Sequence, residues 1–384
     1  MKLISRTLNQ VESPMDNIYA LAAQYEGNLS LLDLAQGVTN YATAPVIANH
    51  IAKVACDPDG GKYTSRAGIE QLRNIVAREL SNEYAGKVTS ENVLITAGCN
   101  QAFCIAVSAL ADFEDEIILP VPYYFNHKMW LQMEHITPVY LSTAPNFIPN
   151  PEYAESLITD KTKGIVLVTP GNPTGSTINP SIIHKFAELA TKYDIMLILD
   201  ETYKVFRTFD EPPHELFAKN GWSNNIVSLQ SFSKEFAIPG HRVGAAIAHP
   251  DLITEMMKLF SCMAICAPRL GQEAVIAALT KAKNWRQDRV MEIHAKQAQF
   301  ETVFLNKPGG FELCSSGAFF GWVRHPITNK CTDYVLRKLL FDHGILSLPG
   351  TIFAPSDEHY LRFSYANLSL DDIADLGLRL REFS

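Results

Sequence analysis

Four short segments of this 384-residue chain put reactive side chains where an apolar, β-type run ends. In ITAGCNQAF (95–103) the run stops at Gly98 and opens into a helical pattern through Cys99 and Asn100. Free N–H groups at a helix start attract anions, and a glycine lets a phosphate approach the backbone. TPGNPTG (169–175) fixes a loop with two prolines and two glycines and presents the amide of Asn172, at the sheet edge where α/β ligands bind. LDETY (199–203) closes a run with Asp200, and Tyr203 follows three residues on; a carboxylate there is costly without a charged or hydrogen-bonded partner. SFSKEFAIPGHR (231–242) gathers Ser231, Ser233, Lys234 and Arg242 within twelve residues. That set suits an anionic ligand and a lysine able to lose its proton among positive charges. Each segment has an ordinary alternative: a tight βα turn, an asparagine capping its own turn, a helix N-cap, a solvated basic turn. Phe232, Phe236, Ala237, Ile238 and Pro239 argue against full solvation of the last.

The elements that must carry these residues are legible as an alternation. Short β-type runs recur at 93–96, 117–119, 139–141, 165–168, 195–199, 226–229 and 243–248, separated by longer stretches of helical periodicity. This predicts an α/β fold with a mostly parallel, seven-stranded sheet covered by helices on both faces. The connectors 97–116 and 170–194 have room for crossover helices, one over Ile182–Tyr193. The link from Leu229 to Val243 is near the minimum for a parallel crossover, so the seventh strand is expected to run antiparallel. After about residue 275 the pattern changes. A long helix over Asn284–Leu305, the runs FELC and AFFGWV, a helix over Thr332–His343, one short strand at 345–348, HYLRFSYA and a terminal helix after Ser369 predict a smaller α+β domain. Residues 1–45, with one short helix, are assigned to it as an arm, which gives a large domain of 46–275 and a small one of 1–45 and 276–384.

Composition narrows the function classes. Lys plus Arg total 33 against 41 Asp plus Glu, a net charge of −8 with no basic run, which argues against nucleic acid as a partner. The seven cysteines are odd in number and lack the close pairs of a zinc site, so free thiols and no metal are expected. No export signal and no apolar stretch of membrane-spanning length is present, which predicts a cytoplasmic protein without membrane attachment.

In this order the four segments resemble the fold-type-I pyridoxal-phosphate enzymes, and within them the class I/II aminotransferases related to aspartate aminotransferase. The resemblance runs from LAQGV (34–38) through YTSRAGIEQLR (63–73) to HYLRFSYA (359–366). It implies the major domain of that fold type, pyridoxal 5'-phosphate as cofactor, and ping-pong transfer of an amino group between an L-amino acid and a 2-oxo acid. It further implies a homodimer with shared active sites. Lys234 matches the lysine that binds the cofactor aldehyde and later shuttles a proton. Asp200 matches the acid that pairs with the pyridine nitrogen, and Asn172 and Tyr203 the donors to the phenolic oxygen. Gly98, Cys99, Asn100, Ser231, Ser233 and Arg242 match the phosphate site, to which Tyr63 is brought by the neighbouring subunit. Tyr124 matches the aromatic stacked on the ring, with Tyr123 as the competing choice, and His127 a partner of the acid. Arg362 matches the fork onto the substrate carboxylate, assisted by Gly37 and Asn172.

Two departures stand out: Gly240-His241-Arg242 where relatives place an aromatic before the arginine, and Cys99 in the phosphate turn. Arg269 fits either the phosphate cluster or a dimer seam. The resemblance implies a substrate side-chain pocket assembled from the arm, including Ile18 and Tyr19, from loops near Tyr124 and Trp130, and from the partner subunit, and no second arginine matches a dicarboxylate clamp. The same residues would serve a carbon–sulfur β-lyase or a cyclopropane-forming synthase. A cofactor-binding regulator without turnover is the more distant alternative.

Overall fold

The computed structural model describes residues 4–8, 10, 13–208, 211–356 and 359–383; residues 1–3, 9, 11 and 12 of the expected arm lie outside these. Seven strands form the large sheet: β1 (Val93–Thr96), β2 (Glu116–Val121), β3 (Thr137–Ser142), β4 (Thr162–Val168), β5 (Met196–Asp200), β6 (Ile226–Ser231) and β7 (Gly244–Ile247). They lie in the order β1-β7-β6-β5-β4-β2-β3. The strands from β6 to β3 pair in parallel, and β7 is antiparallel to both β1 and β6. Each strand falls on one of the seven apolar runs, and the short link after Leu229 does reverse the last one. Ile165, Val166, Leu167, Leu197, Ile198 and Leu199 are fully buried in the middle of the sheet. Covering both faces is what makes β4 and β5 read as continuous apolar runs rather than alternating ones.

The helices that bear on the site are α1 (Pro14–Ala22), α2 (Cys99–Leu110), α3 (Phe125–Met133), α4 (Pro180–Tyr193), α5 (Lys283–Phe304), α6 (Thr332–His343) and α7 (Leu370–Arg381). Their ends carry local signals. Asn179 caps α4 by accepting from the Ser181 N–H, and Ser369 and Asp372 form a capping box at α7. Gly344 ends α6 at φ +63°.

A second, antiparallel sheet joins β8 (Glu312–Gly317), β9 (Phe320–Arg324), β10 (Leu348–Pro349) and β11 (Tyr360–Ser364) in the order β10-β11-β9-β8. The single strand expected at 345–348 is two pieces. Ile345–Leu346 pairs in parallel with Leu32–Asp33 of the arm, while β10 pairs with β11. The chain changes partner at Ser347, and that partner, eighteen residues after the start of the arm's second helix, leaves no local mark in the sequence. The arm also holds two helices rather than one, Ser5–Leu8 and α1.

Apolar burial divides accordingly. One core packs the large sheet against α2 through residues such as Ile95, Phe103, Val227 and Phe260. Another joins Phe300, Trp322, Leu339, Phe363 and Leu376 to Ile18 and Leu34 of the arm. Full burial of a side chain of this size stabilises by about 1.5–3 kcal/mol, so the arm is anchored by packing as well as by its short strand. Among the described residues no helix is long and apolar enough to cross a membrane.

Candidate active site

β1, β4, β5 and β6 deliver the four motifs to one edge of the sheet, around a cavity of about 260 Å³. Cys99, Asn100, Tyr124, Asn172, Asp200, Tyr203, Ser231, Ser233, Lys234, Arg242, Gly37 and Arg362 all line it. A carboxyl-edge crevice of this kind is where parallel α/β sheets place ligands.

At one pole, α2 begins directly after Gly98, whose φ of +91° is strained for any side chain; a Cβ there would lie 2.3 Å from Arg242 Nη2. Gly98 therefore underlies the arginine rather than facing the cavity. Arg242 is fixed through Pro239 O at 2.9 Å. A Cβ on Gly244 would lie 2.6 Å from the Cys99 nitrogen, so this glycine lets β7 run against the helix start. Ser231 Oγ accepts from the Ser233 N–H at 3.3 Å. Hydroxyls, an arginine and a helix N-terminus together make an anion site.

In the middle stands Asp200, 5% exposed. Its Oδ1 accepts from the Thr202 N–H at 3.0 Å, the Thr202 hydroxyl at 2.7 Å and the Cys99 thiol at 3.7 Å, while His127 Nε2 lies 3.4 Å from Oδ2. Burial alone would raise this carboxyl, but His127 and the Thr202 donors outweigh it and hold it below the usual aspartate value. His127 is stacked on Phe103, with centroids 3.9 Å apart, and meets the edge of Tyr124. Tyr124, not Tyr123, faces the cavity; Tyr123 stacks on Tyr140. Burial pushes the phenols of Tyr203 and Tyr124 upward, so both are hydrogen-bond donors at neutral pH.

Lys234 is the only lysine lining the cavity among the described residues. Its Nζ donates to Gly37 O at 2.7 Å. Burial first, then the charges of Arg362 and Arg242, bring its amine down to about 8.

At the other pole Arg362, 3% exposed, donates to Asn172 Oδ1 at 3.0 Å and to Ala35 O. The Phe320 ring lies 4.7 Å from its guanidinium, and its Nε has no partner among the described residues. Burial draws it down to about 10, so it stays charged at neutral pH. The Asn172 loop is locked to β8 and β9: a Cβ on Gly175 would lie 2.3 Å from the Gly317 nitrogen.

Some expected residues stand elsewhere. Tyr63 is 75% exposed and away from this cavity. Trp130 donates to Cys104 O and lines a separate shallow cavity. Ile18 lines an adjoining cavity, and Tyr19 bonds Asp33. Arg269 is half-buried at the start of Arg269–Lys281, outside the cavity. Residues that sequence reasoning missed include Thr202, Met15, Gln36, Val38, Phe125 and Phe320. Only Thr202 had a local signal, a hydroxyl two residues beyond Asp200, the spacing of an Asx-type turn.

A family profile described as aminotransferase class I and II matches residues 30–378. An aspartate aminotransferase of Pyrococcus horikoshii is 29% identical, covering 95% of this chain and 93% of its own. An aromatic aminotransferase of Arabidopsis thaliana is 28% identical, covering 99% and 95%. The structure of an aspartate aminotransferase from Thermus thermophilus with maleate superposes with a TM-score of 0.91 at 24% identity, over 100% of this chain and 99% of that one.

Proposed function

Because this chain belongs to the class I and II aminotransferases, enzymes that move an amino group between an amino acid and a 2-oxo acid, we propose that it does so with pyridoxal 5'-phosphate bound covalently at Lys234. The residues present suit that group. Lys234 is the one cavity amine among the described residues, and it is drawn down to about 8. Asp200 has three donors on Oδ1 but only His127 on Oδ2, which leaves that oxygen an acceptor for a ring N–H. Two arginines at opposite poles suit two anions, the cofactor phosphate and the substrate carboxylate.

Arg242, Ser231, Ser233 and the N–H groups at Cys99 and Asn100 would hold the phosphate, with Gly98 beneath. Tyr124 would cover the ring, and Asn172 and Tyr203 would reach its phenolic oxygen. Arg362, with Asn172 and the Gly37 backbone, would orient the substrate carboxylate. When bound, the cofactor supplies an aldehyde and an electron-withdrawing ring that takes up charge from the substrate α carbon. Lys234 Nζ, neutral in a useful fraction near pH 7.5, takes the α proton and returns it. Asp200, held ionised, keeps a protonated ring nitrogen stable.

Tyr63, exposed on its own chain, would complete the phosphate site of a partner in a homodimer. The separation of the large-sheet core from the core that joins the arm to the second sheet supports a large domain of 46–275 and a small domain of 1–45 and 276–384. Seven free cysteines support a cytoplasmic location. The single observation that carries the reading is the convergence of Lys234, Asp200, Arg242 and Arg362 on one cavity at the sheet edge. Borohydride reduction of the holoenzyme followed by peptide mapping should place the cofactor on residues 231–242, and a label on any other lysine overturns it. Lys234→Ala should still bind the cofactor, without a covalent bond, because the anion site is separate.

A further inference from the structure

The site uses Asp200 and Tyr203 of the LDETY segment but not the second carboxylate that stands between them. Glu201 follows Asp200 directly and is 1% exposed. Its Oε1 accepts from the Tyr84 hydroxyl at 2.7 Å, and its Oε2 from the Ser228 hydroxyl at 2.6 Å and the Gln230 side-chain amide at 3.0 Å. His214 Nε2 lies 3.6 Å from Oε1, and Lys204, itself paired with Glu83 at 2.6 Å, faces the same cluster. Burial opposes the charge of Glu201, and His214, Lys204 and the Ser228 hydroxyl outweigh it. Tyr84, His214, Ser228 and Gln230 are buried as well. A well-packed apolar set of similar volume is often as stable, so stability alone does not account for these groups.

Glu201 stands where the ladder between β5 and β6 ends. Leu199 and Asp200 lie opposite Ser228 and Leu229 on the two parallel strands, and the Glu201 N–H donates to Leu229 O at 3.0 Å. Past that bond β5 is over, while β6 runs on to Ser231. Strand alternation sends Leu229 and Ser231 to one face and Ser228 and Gln230 to the other. Glu201 holds the pair that points away from Ser231, so its side chain continues the join after the backbone bonds stop.

Both ends of the cofactor site depend on that join. On β5, Glu201 links Asp200 to Thr202, whose N–H and hydroxyl both donate to Asp200 Oδ1. A fixed Glu201 therefore fixes the turn that leaves Oδ2 for a ring N–H. On β6, Gln230 directly precedes Ser231, a hydroxyl of the phosphate site. The cofactor carries its ring nitrogen and its phosphate at a limited reach from each other, so Asp200 and Ser231 grip it together only at a matching separation.

Resting on the pyridoxal-phosphate reading, we propose that Glu201 is a positioning residue, a buried clamp that joins the ends of β5 and β6 and sets the Asp200 turn against Ser231. Tyr84 has a different part. It follows the helix Glu70–Glu83 and lies on no strand, and its ring packs on His214 and Phe217. Its bond ties a helix to the clamp rather than one strand to the other.

The test compares wild type with Glu201→Gln, Gln230→Leu and Tyr84→Phe, each freed of cofactor and titrated with pyridoxal 5'-phosphate. Glu201→Gln puts an amide N–H group among three donors, and Gln230→Leu removes the donor next to Ser231 while keeping the carboxylate. Both should weaken cofactor binding about tenfold. In both, the ring nitrogen of isotopically labelled cofactor should move its NMR resonance toward the unprotonated position. Their kcat should fall about tenfold with KM within about twofold, because Arg362 stands on the second sheet. Tyr84→Phe should lower the melting temperature yet leave the cofactor constant within about twofold. Where Glu201→Gln does not fold, Gln230→Leu decides alone. Unchanged cofactor binding and an unmoved resonance, with the loss confined to the melting temperature, overturn the clamp. So does Tyr84→Phe weakening the cofactor as much as Gln230→Leu. Wild type that takes up no pyridoxal 5'-phosphate, or holds it at another lysine, defeats the underlying reading and the inference with it.

Discussion

Lys234 should titrate as an amine far more acidic than an ordinary lysine. Its value of about 8 leaves roughly a quarter of it neutral at pH 7.5, against about 0.1% for a lysine near 10.5, a gain of about 200-fold in the nucleophilic form. The measurement is competitive labelling of cofactor-free protein with a trace of acetic anhydride across pH 6–11, with the segment 231–242 quantified by mass spectrometry. Lys62, whose side chain is 68% exposed, serves as the internal standard. Lys234 should reach half its maximal reactivity near pH 8. In Arg362→Gln the midpoint should move upward, because a repelling cation is removed. It should still stay below that of an ordinary lysine, because burial is the larger cause. A wild-type midpoint at or above pH 10 would refute the electrostatic reasoning, and an unmoved midpoint in Arg362→Gln would remove that arginine from it.

Asp200→Asn should lower turnover by at least about 100-fold, since an amide cannot stabilise a protonated ring nitrogen; near-normal kcat with an unchanged melting temperature would sink the role. Glu201, fully buried, accepts from Tyr84, Ser228 and Gln230. Although burial opposes ionisation, His214 and the other donors hold it down at about 2, against 4.5 unfolded. Its ionised form should therefore contribute about 3 kcal/mol above pH 4.5, lost as pH falls from 4.5 to 2. Urea unfolding of wild type and Glu201→Gln should show a gap at pH 7 that narrows at pH 3, and a constant gap would contradict this. For Tyr63, mixing Tyr63→Ala with Lys234→Ala chains should yield hybrids with one intact site, so activity should rise above either parent after subunit exchange. Demonstrated hybrids without recovery would return Tyr63 to its own subunit.

What the sequence disclosed was what local pattern encodes. The seven strands were legible because both faces of the sheet are covered, so each strand is an apolar run bounded by turn residues. The motifs at Gly98, Asn172, Asp200 and Ser231–Arg242 were legible because each sits where such a run stops. Met15, Val38, Phe125 and Phe320 were not, since an apolar residue facing a cavity looks like one facing a core; only the tertiary approach of α1 and β9 separates the two. Trp130 shows the reverse: an aromatic near Tyr124 that turns toward Cys104 instead. Gly244 escaped notice because its reason, contact with the Cys99 nitrogen, lies across the sheet. The partner switch at Ser347 depends on residues of the arm some three hundred positions away.

The most direct test is a single half-reaction. Holoenzyme mixed with phenylalanine and no acceptor should release one equivalent of 2-oxo acid per active site and no ammonia, then stop. Adding phenylpyruvate labelled with deuterium in its ring should yield labelled phenylalanine and restore the starting cofactor absorbance. No oxo acid from any amino donor, or continuous release of ammonia together with a 2-oxo acid from a donor that carries a β leaving group, would contradict amino-group transfer at Lys234.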